Sequence, residues 1–221
     1  LYTPPSWAKA LCSRNLPESS LSSNPTNPIG DPTNAFNIFL YEGTNATNRN
    51  LALNTFTPDW VWLKSRSQAD NHVLVDSLRR DGDNFPNLHA NVTDQQTSDS
   101  HPKIITNGVQ VSQGLYDNDT VTFVTWCWKA GGAPTADNSG GQNPTSGSVM
   151  IDGVTSTTAF ATASIYPTRM SVNTHAGFSI VTYTGSTASG ALTIPHGLGK
   201  KPEWILVKRT DDTGDWIVGH R

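Results

Sequence analysis

Charge is scarce in this chain. Only 15% of its 221 residues are Asp, Glu, Lys or Arg, against roughly 25% in ordinary soluble domains. Its polar surface must therefore come from Ser, Thr, Asn and Gly. The formal net charge of -3 argues against a nucleic-acid partner, which requires basic patches. No apolar run approaches the ~18 residues of a membrane-spanning helix, so membrane insertion is not expected. The sequence opens on Leu1 without a basic-then-apolar leader and reads as a fragment of a longer polypeptide.

The residues of common catalytic sites are equally sparse. There are three glutamates, Glu18, Glu42 and Glu203, whereas glycosidase chemistry needs two carboxyls about 5 to 10 Å apart. Glu203 duplicates Asp59 in a repeated motif, which points to a structural role where a strand begins. The six histidines, at 72, 89, 101, 175, 196 and 220, show no zinc spacing. Hydrolase, phosphate-loop and dinucleotide signatures are missing. Catalytic residues, metal sites and cofactors are therefore expected to be none. The two cysteines, Cys12 and Cys127, are expected as free, half-buried thiols, with a disulfide between them left open. Three Asn-x-Ser/Thr sequons, at Asn45, Asn91 and Asn118, are what chance gives in a chain so rich in Asn and Thr. No window shows a 3.6-residue hydrophobic period, which excludes substantial helix.

What the chain does have is a duplicated motif. Phe-Thr-Pro-Asp-Trp-Val-Trp-Leu-Lys at 56–64 returns as Lys-Pro-Glu-Trp-Ile-Leu-Val-Lys at 201–208. Pro58, Trp60 and Lys64 match Pro202, Trp204 and Lys208 in spacing, and Tyr41 matches Tyr183 upstream. These eight residues are the expected anchors of a structural repeat. The proline suits the first residue of a strand, where no ladder N–H is needed. Alternation puts Trp60, Trp62 and Lys64 on one face and Val61 and Leu63 on the other. A second strong strand, 120–128, alternates Val121, Phe123, Thr125 and Cys127 with Thr122, Val124, Trp126 and Trp128. Residues 72–76 read as the hairpin partner of the Pro58 strand.

Around these strands the chain divides into four stretches. Residues 1–35 are a Pro-, Ser- and Asn-rich extended connector, docked through Trp7, Leu11 and Leu16. Residues 36–132 form a first β-sandwich-like module. Residues 133–176 are a Gly/Ser-rich linker and a short β-hairpin. Residues 177–221 start a second, truncated copy, in which the counterpart of 78–132 is missing. The predicted fold is all-β, with tandem β-sandwich-like modules, long loops and an incomplete second module that further chain or a neighbour would complete.

Three features admit a chemical reading. The acidic turns at 81–83, 117–119 and 211–215 offer oxygen ligands for Ca²⁺, although Asx-type turns explain them without a metal. Trp60, Trp62, Trp126, Trp128, Trp204 and Trp216 could stack on sugars, but they sit in the most apolar strands and are expected in the core. The glycine turn His-Gly-Leu-Gly at 196–199 resembles a phosphate loop only superficially, since it lacks the Gly-Lys-Ser/Thr ending.

The motifs Asp-Trp-Val-Trp-Leu-Lys-Ser-Arg at 59–66, His-Val-Leu-Val-Asp-Ser at 72–77, Thr-Trp-Cys-Trp-Lys-Ala-Gly-Gly at 125–132 and Ser-Val-Asn-Thr-His-Ala-Gly-Phe-Ser-Ile-Val at 171–181 together resemble a domain that recurs in large structural proteins of marine tailed bacteriophages, including cyanophages. The 196–199 turn followed by Pro202 is similar to one common in phage tail fibres. Residues 2–17 resemble the segment that leaves a preceding SPRY-like or lectin-like β-sandwich. The resemblance implies a virion protein, a tail fibre or host-facing appendage, homotrimeric as fibre proteins generally are. Its partners would be other virion proteins, copies of itself and a host surface glycan. It assigns no receptor-binding residue. Three rivals stand beside it: a purely architectural capsid-decoration or tail-assembly protein, a host-polysaccharide depolymerase, and a bacterial surface adhesin.

Overall fold

A computed structural model describes residues 32–114 and 116–221. Among these the only helical turn is a 3-10 turn at Pro32–Asn34; all other regular structure is β. In chain order the strands are β1 (Phe36–Glu42), β2 (Arg49–Ala52), β3 (Trp60–Ser65), β4 (Val73–Asp76), β5 (Leu88–His89), β6 (Lys103–Ile105), β7 (Gly108–Val111), β8 (Thr122–Trp128), β9 (Val149–Ile151), β10 (Val154–Thr155), β11 (Pro167–Asn173), β12 (Phe178–Tyr183), β13 (Trp204–Val207) and β14 (Ile217–His220).

The first module is a sandwich. Its larger sheet has the order β1-β8-β3-β4-β5 and its smaller one β2-β7-β6. Residues of one parity on each strand meet between the sheets, as a period-2 backbone requires. Val61 and Leu63 of β3, Val73 and Val75 of β4, and Phe123 and Cys127 of β8 pack against Leu51, Val109 and Val111. Fully burying each such side chain is worth about 1.5–3 kcal/mol. Strand β8 lies between β1 and β3. It pairs antiparallel with β1 along Phe36↔Trp128 to Glu42↔Thr122 and with β3 along Trp60↔Trp128 to Ser65↔Phe123. The expected hairpin forms between β3 and β4, with Trp60↔Asp76 and Leu63↔Val73.

Two expectations about the middle of the chain are corrected. The glycine-rich start of the expected 133–176 linker, and the residues just before it, are tied to the fold. Ala130 and Gly131 are buried, Thr135 N–H donates to Gly147 O at 2.9 Å and Asn138 N–H to Thr168 O at 2.9 Å. Asn138 Nδ2 adds bonds to Gly141 O and Pro167 O. A glycine-rich composition reads as linker, but these tertiary bonds fix the backbone. The expected boundary at 176/177 also falls inside a hairpin. β11 pairs with β12 along Met170↔Val181 and Asn173↔Phe178, and parallel with β9, giving one sheet of order β10-β9-β11-β12. Its small core joins Val149, Phe160, Met170 and Val172, with Val181 and Leu198 packed against it. The expected 1–35 connector, with Trp7, Leu11 and Leu16, falls outside the described residues apart from its last few.

The two units are locked where β8 leaves the first sheet. Gly131 N–H donates to Ser171 Oγ at 2.8 Å, and Ser171 Oγ–H donates to Gly132 O at 2.7 Å. A β-carbon at Gly131 would lie 2.8 Å from Val172 N, and closer still to the carbonyl oxygens of Met150 and Val172. Only a glycine passes between these strands. Gly131→Ala is therefore expected to destabilise the protein by about 3 kcal/mol, the upper end for overpacking. Gly185→Ala, in open space, should leave the midpoint of denaturant unfolding nearly unchanged.

Candidate functional site

Trp60, Trp62, Trp126, Trp128, Trp204 and Trp216, expected in the core, are not buried there. Val61, Leu63, Phe123 and Cys127 point inward, and the opposite parity carries Trp60, Trp62, Trp126 and Trp128 to the outer face, where all four are half-buried. Alternation fixed the two faces correctly, but apolar residues occupy both, and the smaller sheet covers the valine and leucine side.

On the outer face the rings form a ladder. Trp60 and Trp128 have centroids 4.8 Å apart, Phe36 lies 4.9 Å from Trp128, and Trp62 meets Trp126 edge-on at 6.0 Å. Such pairs form because directly opposed residues in an antiparallel sheet bring large rings into contact. Trp62 Nε1–H donates to His72 Nδ1 at 2.8 Å, so this imidazole carries its hydrogen on Nε2. Burial, and then the Lys64 charge, hold the His72 pKa below its ordinary value. One end of the ladder is already occupied. Phe178 of β12 stacks on Trp60 at 5.7 Å and near Trp128 at 6.2 Å. Beside the ladder, Ile38 and Leu40 of β1 are exposed.

The repeat anchors sit differently in the two copies. Tyr41 O–H donates to Tyr116 O at 2.7 Å, and its ring stacks on Phe123; Tyr183 sits exposed opposite Pro167. Pro58 is buried and Pro202 half-buried. Lys64 Nζ donates to the carbonyls of Ser65 and Gln68. Lys208 Nζ repeats the first of these bonds on Arg209 O and adds Thr93 O, so both lysines brace the loop of their own hairpin. The second hairpin rests on the first module. Trp216 Nε1–H donates to His89 O at 2.9 Å, and Gly214 N–H to Thr93 O at 2.8 Å.

At least one residue of each acidic turn, and buried Asp59, has a protein partner. Buried Asp59 accepts from Ser77 Oγ at 2.8 Å, Ala130 N at 2.8 Å and Gly132 N at 3.1 Å. Burial still raises its pKa, against the lowering by those bonds. Asp117 accepts from Arg49 Nη1 at 2.9 Å and Ala46 N at 3.0 Å. Arg80 pairs with Asp83, and Arg209 with Asp211 and Asp212. Each acidic turn thus has an arginine beside it. Among the described residues no group of three His, Cys, Asp or Glu side chains is placed to hold a metal. Cys127 is free and buried, its thiol pKa pushed up to about 12 by desolvation. The 196–199 turn is a packing element. Gly197 has φ 73°, a β-carbon there would press on Val172 Cγ2, and Leu198 packs against the second core.

Sequence reasoning missed His72 as a partner of Trp62 and Phe178 as a cap on the ladder. The first carries a local signal, since the two residues lie near the ends of one hairpin; the second depends on how the units dock.

Compared with known families, the sequence matches one described as a domain of unknown function (DUF7483), once over residues 31–153 and again over 149–221. No curated protein and no solved structure matches. The second match starts at 149, upstream of the expected boundary at 177.

Two outcomes follow from this geometry. Because the native His72 pKa lies below that of the unfolded chain, its share of stability is complete above the unfolded value near 6.5 and is lost as pH falls through the native value. Trp62 emission should report this change, and His72→Phe should remove it. Asp59→Ala leaves Ala130, Gly132 and Ser77 without their acceptor and should cost about 3 kcal/mol in urea unfolding.

Proposed function

The chain belongs to the DUF7483 family, and from that premise we propose that it is a non-catalytic structural module of a bacteriophage tail fibre or host-facing appendage, contributing to host attachment. The observation that carries this reading is the way one unit is seated on the next. The Trp60–Trp128 pair receives Phe178 of the following sheet. Arg169 Nη1 of that sheet donates to Leu78 O of the first module at 2.7 Å, and the 129–132 segment is wedged between the two. Successive modules joined by packed aromatics and backbone bonds make a stiff scaffold, which is what a fibre needs; flexible tethers would not serve. The perturbed groups support a structural role. Asp59, Tyr41, Tyr116 and Cys127 are shifted chiefly by burial, and each lies in the packed first module.

In this reading the chain resides in the virion, in the tail or an appendage. Its partners are other virion proteins and copies of itself in a homotrimer, and the exposed loops meet a host surface glycan. It uses no cofactor, binds no nucleic acid and does not insert into membranes.

Antibodies raised against this protein should label the tail or fibres of purified particles from a marine tailed phage that encodes it. The isolated protein should bind host cells and leave the chain length of host envelope polysaccharide unchanged. Particles without label would overturn the assignment. Label without cell binding would assign a purely architectural role, and shortened polysaccharide would assign a depolymerase.

A further inference from the structure

The second hairpin reproduces the first bond for bond. Trp60 pairs with Asp76 and Leu63 with Val73; Trp204 pairs with His220 and Val207 with Ile217. Every position is displaced by 144 residues (204 − 60 and 220 − 76). The backbone bond from Ser77 N–H to Asp59 O at 2.9 Å recurs from Arg221 N–H to Glu203 O at 3.1 Å, at the same displacement. Upstream, Phe36, Ile38 and Tyr41 of β1 correspond to Phe178, Ile180 and Tyr183 of β12 at a displacement of 142 (178 − 36 and 183 − 41).

Equal local structure sits in unequal surroundings. Val61 is 0% exposed and its counterpart Ile205 48%; Val73 is 4% and Ile217 62%; Leu74 is 1% and Val218 58%. In the first copy β1 and β3 do not touch each other as neighbours, because β8 lies between them and pairs with both. In the second copy β13 has β14 as its only sheet neighbour and β12 has only β11, among the described residues. Each of these strands therefore keeps one ladder edge free, beside apolar side chains that the same fold buries elsewhere.

We propose that the second copy takes up an added β-strand of the Thr122–Trp128 kind, a segment outside residues 1–221 that pairs antiparallel with Trp204–Val207 on one side and Phe178–Tyr183 on the other. The first copy specifies its chemistry. Opposite Trp204 stands an aromatic, as Trp128 stands opposite Trp60. Opposite Ile205 stands a small buried residue, as Cys127 stands opposite Val61. Opposite Leu206 stands a second aromatic, as Trp126 stands opposite Trp62, and opposite Val207 a residue like Thr125. No residue of β12 or β13 is charged, so the strand is recognised by backbone bonds and alternate apolar side chains, the usual basis of strand addition. This inference does not depend on the phage assignment, and its test contains no particle or host component, so either can fail alone.

The test extends the full chain by a second copy of its own residues 77–132, placed after Arg221, and compares amide hydrogen exchange with the parent. Backbone amides of 178–183 and 204–207 should exchange at least about 10-fold more slowly in the extended chain, with 60–65 as the internal reference. Ile205→Asp in the extended chain puts a carboxylate where Val61 is sealed, and should return exchange to the parent rate. Equal exchange with and without the extension overturns the proposal, as does protection that survives Ile205→Asp. If the extended chain does not fold, a synthetic peptide of residues 118–132 added to the parent provides the second measurement. Trp204 emission, identified against Trp204→Phe, should shift to the blue on saturation, and an unchanged spectrum counts against the strand. Concentration-dependent protection of 204–207 in the parent alone would assign the edge to a second copy and overturn the proposal in this form.

Discussion

A single buried carboxylate, Asp59, holds the architecture in register. It stands one residue before β3, and its oxygens gather three donors from two separated segments: Ser77 just after β4, and Ala130 and Gly132 just after β8. The backbone of the same residue accepts from Ser77 N–H and donates to Trp128 O. Hydrogen bonds to a charged acceptor contribute about 1.5–3 kcal/mol each, and desolvation offsets much of that, as the raised pKa shows. The contribution of Asp59 is therefore one of placement more than of net stability. It fixes where β8 ends, and so where the 130–132 segment turns into the second sheet and delivers Gly131 against Met150 and Val172. The copy at 203 is a glutamate, exposed and paired with Arg221 at 3.1 Å. Arg221 occupies the position of Ser77. With the carboxylate in solvent no network of buried donors is assembled, and the exposed ion pair that replaces it is worth little.

The strands were legible from period-2 alternation, and the repeat from Pro, Trp and Lys spacing. What alternation could not decide was which face lies inside. β3 and β8 carry valine, leucine, phenylalanine and cysteine on one face and tryptophan on the other, so hydrophobicity alone favours the tryptophans as core. The decision comes from β2, β6 and β7, short strands with little signal of their own, whose Leu51, Ile104, Val109 and Val111 form a lid over the smaller side chains. Rings as large as indole are accommodated better at a half-open surface, where the N–H can find a partner such as His72. The docking residues were illegible for a related reason. Asn138, Ser171 and Phe178 have no local pattern, and each joins the sheets through a partner at least 29 residues away.

The two hairpins separate what the local sequence determines from what the rest of the fold adds. β13 and β14 reach the register of β3 and β4 without a β8 beside them or a lid below them. Register is therefore set within the hairpin, by the proline at its start, the lysine that braces its loop and the cross-strand pairs. Burial is set by strands that arrive later in the chain. β8 lies between β1 and β3 in its sheet, yet 45 residues separate it from the end of β4 (122 − 76 − 1). Long-range pairing of this kind carries a closure entropy that the local hairpin does not. The β1-type and β3-type strands of the first module are joined in one sheet only through β8, which pairs with both.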